Sequence, residues 1–147
     1  MSAKELLFSI KEIQKDIEIK TQLIATYRDI ATGLQSPQYS DMPKSPNRKL
    51  QPMADAINKA MDLEEEVKEL EQELIQVKTR VYEIIQNIDS KAHQLILLER
   101  YINGKPWSII SRMIGYANSR IYDKHNHALM DFSTVYEKFG VNRSTSE

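Results

Sequence analysis

The chain has 147 residues, 41% of them hydrophobic, with 20 Lys and Arg against 21 Asp and Glu and no cysteine. That length holds one domain or two small ones, and the lack of cysteine excludes disulfides and thiol catalysis and fits a reducing compartment. No apolar run is long enough to span a bilayer, and Glu5 and Glu12 among the first lysines are unlike a signal peptide, so the expected location is the cytoplasm, with no membrane partner.

Glycine and proline punctuate the chain. Gly33, Gly104, Gly115 and Gly140 all stand at expected helix ends, and the five prolines fall in one linker or at Pro106. No segment sustains the alternation of a strand, so the expected fold is all-α. The first helix covers about 3–31, where Leu6, Ile10, Ile13, Ile17, Lys20, Ile24, Tyr27 and Ala31 form a heptad seam broken only by Lys20, a gap that Leu23 is expected to cover. The stretch 32–52, TGLQSPQYSDMPKSPNRKLQP, reads as a flexible linker. A second helix covers about 53–88, with Ala56, Ala60, Leu63, Val67, Leu70, Leu74, Val77, Val81, Ile84 and Ile88 in unbroken heptad spacing.

At 1.5 Å per residue the second helix extends on the order of 50 Å and needs a partner along its length. The expectation is a long antiparallel coiled-coil helical hairpin over 1–88. Leu63, Val67, Leu70, Leu74, Val77 and Val81 would be left to meet a second copy in a four-helix homodimer. Each large apolar seam residue contributes roughly 1.5–3 kcal/mol when buried, so an uncovered stripe is costly. The alternative is a monomer in which one hairpin buries both stripes.

Residues 89–139 carry a different pattern. Gly104 stops a helix ending on Tyr101-Ile102, and Pro106 opens a short helix to Ile114, with Trp107, Ile110 and Ile114 on one face. Gly115 supplies a left-handed cap. A third helix follows, capped by Asn118 or Ser119, with Ile121, His125, Ala128 and Phe132 at helical spacing. Two helices joined by a tight glycine turn and braced by another make a three-helix helix-turn-helix domain. Phe132, Val135, Tyr136 and Phe139 continue the last helix or form a further one; they pack on the domain, join a dimer interface or dock on a partner. Residues 140–147 read as a disordered tail.

Leu98, Arg100-Tyr101, Gly104, Trp107, Ile110, Ile114-Gly115-Tyr116, Ile121 and Ala128-Leu129 resemble the fourth region of bacterial sigma factors over about a third of the chain. With MSAKELLFSI at the start, DMPKSPNR in the middle and MDLEEEV before the second long helix, the layout resembles small prophage proteins with a sigma-like C-terminal domain, relatives of ArpU- and RinA-type regulators of phage late transcription. The resemblance implies a sequence-specific DNA-binding transcriptional regulator of phage or prophage genes. Its partners would be double-stranded DNA and RNA polymerase.

In such a module the start of the second helix enters the major groove. That makes Asn118, Ser119, Tyr122 and Asp123 the candidate base readers, and Lys105, Arg112, Arg120 and Lys124 the candidate phosphate contacts. The alternative for this set is a solvated helix face. Charge follows the same division: 53–88 holds nine acidic and four basic side chains, and 89–132 holds six basic and four acidic. The basic excess is small; Asp123 stands where the resemblance implies a polar or basic residue, which makes the groove-facing surface less cationic, and Lys124 stands where it implies an aliphatic one.

Trp107 and Tyr101 read as packing residues. His125 and His127, two apart on a helix, point to different sides, and with His93 they make no metal motif. There is no phosphate loop and no nucleophile motif, and the EEEVKELEQE run is a coiled-coil surface, so no enzyme, cofactor or small-molecule substrate is expected. The Asn142-Arg-Ser triplet is a chance glycosylation pattern. Two other classes share these features: a phage small terminase-like DNA-packaging protein, which forms large rings, and a coiled-coil protein that captures a host protein.

Overall fold

The computed structural model describes residues 1–33 and 46–145, and every regular element among them is helical. α1 covers Ala3–Thr32, α2 Pro46–Gln86, α3 Lys91–Leu97, α4 Trp107–Ile114 and α5 Asn118–Thr145. α3 runs directly into a π-helical turn, Leu98–Ile102. No helix among the described residues is long and apolar enough to cross a membrane.

Local chemistry accounts for most of these boundaries. A capping box starts α1: Ser2 Oγ accepts the Glu5 N–H at 3.1 Å and Glu5 Oε2 accepts the Ser2 N–H at 3.0 Å. Gly33, at φ +75°, follows the helix end and donates to the Ile30 carbonyl. Ser90 caps α3 by accepting the His93 N–H at 3.2 Å. The Gln94 side chain then donates to the carbonyls of Ile85 and Ile88 at 3.0 and 2.9 Å, satisfying acceptors freed where α2 ends.

Several expected boundaries move. Of the anticipated linker 32–52, residues 34–45 lie outside the described residues, and α2 begins at Pro46 rather than Met53. It passes through Pro52, near the helix start, where the ring removes one N–H from the helical ladder and crowds the carbonyl four residues earlier. Pro106 stands just before α4, extended at ψ 155°, and its carbonyl accepts from Ile110. Ala117 does the same for α5 by accepting from Ile121, so neither Asn118 nor Ser119 occupies the cap position. Gly140 lies inside α5, and the chain read as a tail is helical to Thr145; residues 146–147 lie outside the described residues. One glycine inside a 28-residue helix costs about 1 kcal/mol relative to alanine, too little to stop a helix of that length.

The chain divides into two compact units, with the division falling inside α1 and α2. The first comprises Met1–Glu12 and Leu74–Glu147. Its core joins Leu6, Leu7 and Ile10 of α1, Val81, Ile84 and Ile85 of α2, Ile96 and Leu97 of α3, Ile110 of α4, and Ile121, Ala128 and Phe132 of α5. Val135, Tyr136 and Phe139 pack against this core. Tyr136 donates its hydroxyl to the Met1 carbonyl and lies under the Arg80 guanidinium, 5.2 Å from the ring centroid. His93 and Asp131 pair between α3 and α5.

Three of the six residues expected to meet a second copy, Leu74, Val77 and Val81, lie in this unit. Val81 is fully buried, and Leu74 and Val77 pack against the same cluster.

The second unit is Ile13–Glu73. Ile13, Ala56 and Ala60 are buried, and Leu63, Val67 and Leu70 are half-buried. Arg28 pairs with Glu64 at 2.6 Å, and the Lys59 ammonium lies 5.6 Å from the Tyr27 ring centroid. Leu23 faces solvent instead of covering the gap in the α1 seam. Lys20 occupies that gap itself, half-buried, with its ammonium 3.2 Å from Asp16. A lysine stem packs as hydrocarbon while its head stays solvated, so the seam needs no cover there.

Candidate nucleic-acid interface

The turn between α3 and α4 is where the sequence places its strongest punctuation, and it is held by side chains from both flanks. The π-helical turn bonds Asn103 N–H to the Leu98 carbonyl at 3.0 Å, and Lys105 N–H closes on the Glu99 carbonyl at 2.9 Å. Gly104 adopts φ +67° between them, a conformation that a β-carbon disfavours. Glu99 is thereby turned inward, 7% exposed, and meets the Lys105 ammonium at 2.7 Å. The hydrogen bond from Lys105 holds the Glu99 carboxyl below its ordinary pKa, against the opposing effect of burial, with Asn103 adding a second lowering bond.

Arg100 braces the same turn from its other side. It donates to the Lys105 carbonyl at 3.1 Å, and its guanidinium lies 4.5 Å from the Trp107 ring centroid. Trp107 in turn meets His125 of α5 edge-on at 4.6 Å, and Tyr122 at 5.8 Å. A hydrogen bond of 2.7 Å joins the Tyr101 hydroxyl and His125 Nε2, and Phe8 of α1 packs 6.0 Å from the Tyr101 ring. Burial, then the charges of Arg100 and Lys4, push His125 below its ordinary pKa; burial pushes Tyr101 up. Both groups are thus uncharged near neutral pH. The result is a stacked joint running from the turn, through α4, to the second turn of α5.

Beyond this joint, Gly115 at φ +84° ends α4 and returns the chain into α5 within three residues. Asn118, Ser119, Tyr122 and Asp123 are all exposed on the first turns of α5; Ser119 and Asp123 lie opposite the buried Ile121, Ala128 and Phe132, while Asn118 and Tyr122 flank that buried side. Arg112 and Arg120 are exposed nearby in sequence. Lys124 is half-buried, its ammonium 5.2 Å from the Tyr116 ring centroid. Lys105 pairs with Glu99 while its side chain stays 39% exposed. Counting Arg100 as well, two of the six basic side chains in 89–132 are engaged in holding the turn.

Sequence reasoning missed this bracing set. Glu99 and Lys105 flank Gly104, as do Arg100 and Trp107, so each pair was placed to meet once the glycine reversed the chain. The π-turn that aims Glu99 inward has no sequence signature of its own. His125 was visible on the apolar face of α5, though its partners Tyr101 and Trp107 were not.

No family model, no curated protein and no solved structure matches this chain.

Proposed function

We propose that this protein is a sequence-specific DNA-binding transcriptional regulator of phage or prophage genes, with α4 and α5 as its helix-turn-helix and no enzymatic activity. The observation that carries the proposal is the exposed polar start of α5, Asn118, Ser119, Tyr122 and Asp123, presented by a helix whose other face is locked into a buried core. A major groove admits a helix offered in this way, and Asn, Ser and Asp are side chains that exchange hydrogen bonds with base edges. Arg112 and Arg120, both exposed, and Lys105 and Lys124, each also engaged within the domain, are the cations that would meet phosphates. The unit Ile13–Glu73 serves as the arm of a helical hairpin and joins a second copy through Leu63, Val67 and Leu70, because a dimer doubles a phosphate-contact set too small to hold DNA alone. RNA polymerase is a further partner in this reading.

The commitment of Lys105 and Arg100 inside the domain favours a second reading, capture of a host protein by the acidic helical arm. One experiment separates the two. Fluorescence anisotropy with duplex fragments, at low and moderate salt, alongside light-scattering mass, is expected to give a dimer that selects one fragment and weakens with salt. A large ring points to a terminase-like packaging protein. Absence of selective binding at either salt overturns the regulator reading in favour of protein capture.

A further inference from the structure

The outward face of α5 extends beyond the four residues at its start. Asn126 is exposed one turn past Tyr122 and Asp123, while Ile121, Ala128 and Phe132 on the opposite side of the helix are fully buried. Ser119, Asp123 and Asn126 recur at four and three residues and so form one line along the solvent side. That line holds no cation. Arginine or lysine is the usual reader of guanine, through O6 and N7, whereas an Asn amide matches N6 and N7 of adenine and an Asp carboxylate accepts from N4 of cytosine. Along the helix axis, Asp123 and Asn126 stand about 4.5 Å apart at 1.5 Å per residue. Successive base pairs rise about 3.4 Å, so a helix lying along the groove sets these two side chains over neighbouring pairs.

The geometry points to Asn126 as a specificity-determining residue that reads adenine, next to a cytosine read by Asp123. This rests on the DNA-reading function proposed above and deepens it by naming the bases. Asn126 hydrogen-bonds to no described side chain that its role would have to break, and its replacement by alanine favours the helix.

The test is selection from a pool of random duplexes with the full chain, as wild type and as Asn126→Ala, followed by affinity measurements on the enriched site and its single-base variants. Wild type is expected to enrich a site with an A·T pair beside a C·G pair, and to lose about ten-fold in affinity when the A·T pair is changed. Asn126→Ala should enrich the same site with that one pair relaxed, keep the C·G preference, and show an unchanged circular dichroism melt. If Asn126→Ala retains the wild-type preference at every position, or if wild type selects a site without the A·T and C·G neighbours, the inference falls and the regulator function stands. If wild type enriches no site, both fall together.

Discussion

Glu99 Oε2 lies 2.7 Å from the Lys105 ammonium, a carboxylate buried before Gly104 paired with a lysine just after it. The pair closes the turn on which α4 is set. It also gives Lys105 a structural task, so a side chain that reads in sequence as a phosphate contact is tied to the fold.

Glu99→Ala removes one partner of the Glu99–Lys105 ion pair and should cost about 1 kcal/mol of unfolding free energy in urea. The pH dependence has a definite sign. The folded chain holds the Glu99 pKa below its ordinary 4.5, so the unfolded chain takes up the proton first as pH falls. The pair's contribution is therefore present above about pH 4.5 and lost as pH drops through the lowered value. Glu99→Gln should flatten that part of a melting-temperature profile. An unchanged acid limb in Glu99→Gln shows that the pair does not govern it.

His125 titrates with the same sign for a different reason. Burial lowers its pKa below 6.5, so protons favour the unfolded chain and stability should decline as pH falls below 6.5, until the folded state also protonates. Urea midpoints measured from pH 7.5 to 5 should fall for wild type and stay nearly level for His125→Gln in that interval. A wild-type midpoint that rises toward acid contradicts the buried neutral imidazole.

Trp107 is the single tryptophan, and it sits between Arg100 and His125, so its fluorescence reports on the joint. Phe132→Ala, at a fully buried position, should cost about 3–5 kcal/mol and red-shift that emission at lower urea. Val81→Asp should abolish the folded emission, because it buries a charge without a partner in the core that holds α4 and α5. Leu70→Asp lies in the other unit and should change the solution mass while leaving the emission folded. Loss of the Trp107 signal in Leu70→Asp would refute the separation of effects.

Arg120→Ala and the double variant Asn118→Ala with Tyr122→Ala test the two kinds of DNA contact. The first should weaken all duplexes alike and reduce the salt slope by about one. The second should lower discrimination among duplexes, with any fall in melting temperature no larger than that of Tyr122→Ala alone, which loses the ring contact with Trp107. Specific binding equal to wild type in both variants would reject the assigned face.

What the sequence determined by itself is local. Helical spacing of apolar residues identifies an all-α chain and the buried faces of α4 and α5, and Gly33, Gly104 and Gly115 mark turns because each adopts a positive φ that other residues resist. Gly140 shows the limit of that inference: a glycine ends a helix only when the backbone turns there, and in α5 it does not. Tertiary structure decided everything that depends on a partner distant in the chain. Heptad spacing marks Leu74, Val77 and Val81 as apolar-facing, but only the folded core shows that Val81 joins one cluster with Leu6, Leu7 and Ile10 and that Leu74 and Val77 pack against it. Likewise only the closed turn shows that Lys105 serves Glu99 and that His125 joins Tyr101 to Trp107. Periodicity records which side of a helix avoids water, whereas the identity of the neighbour depends on how the chain returns through space.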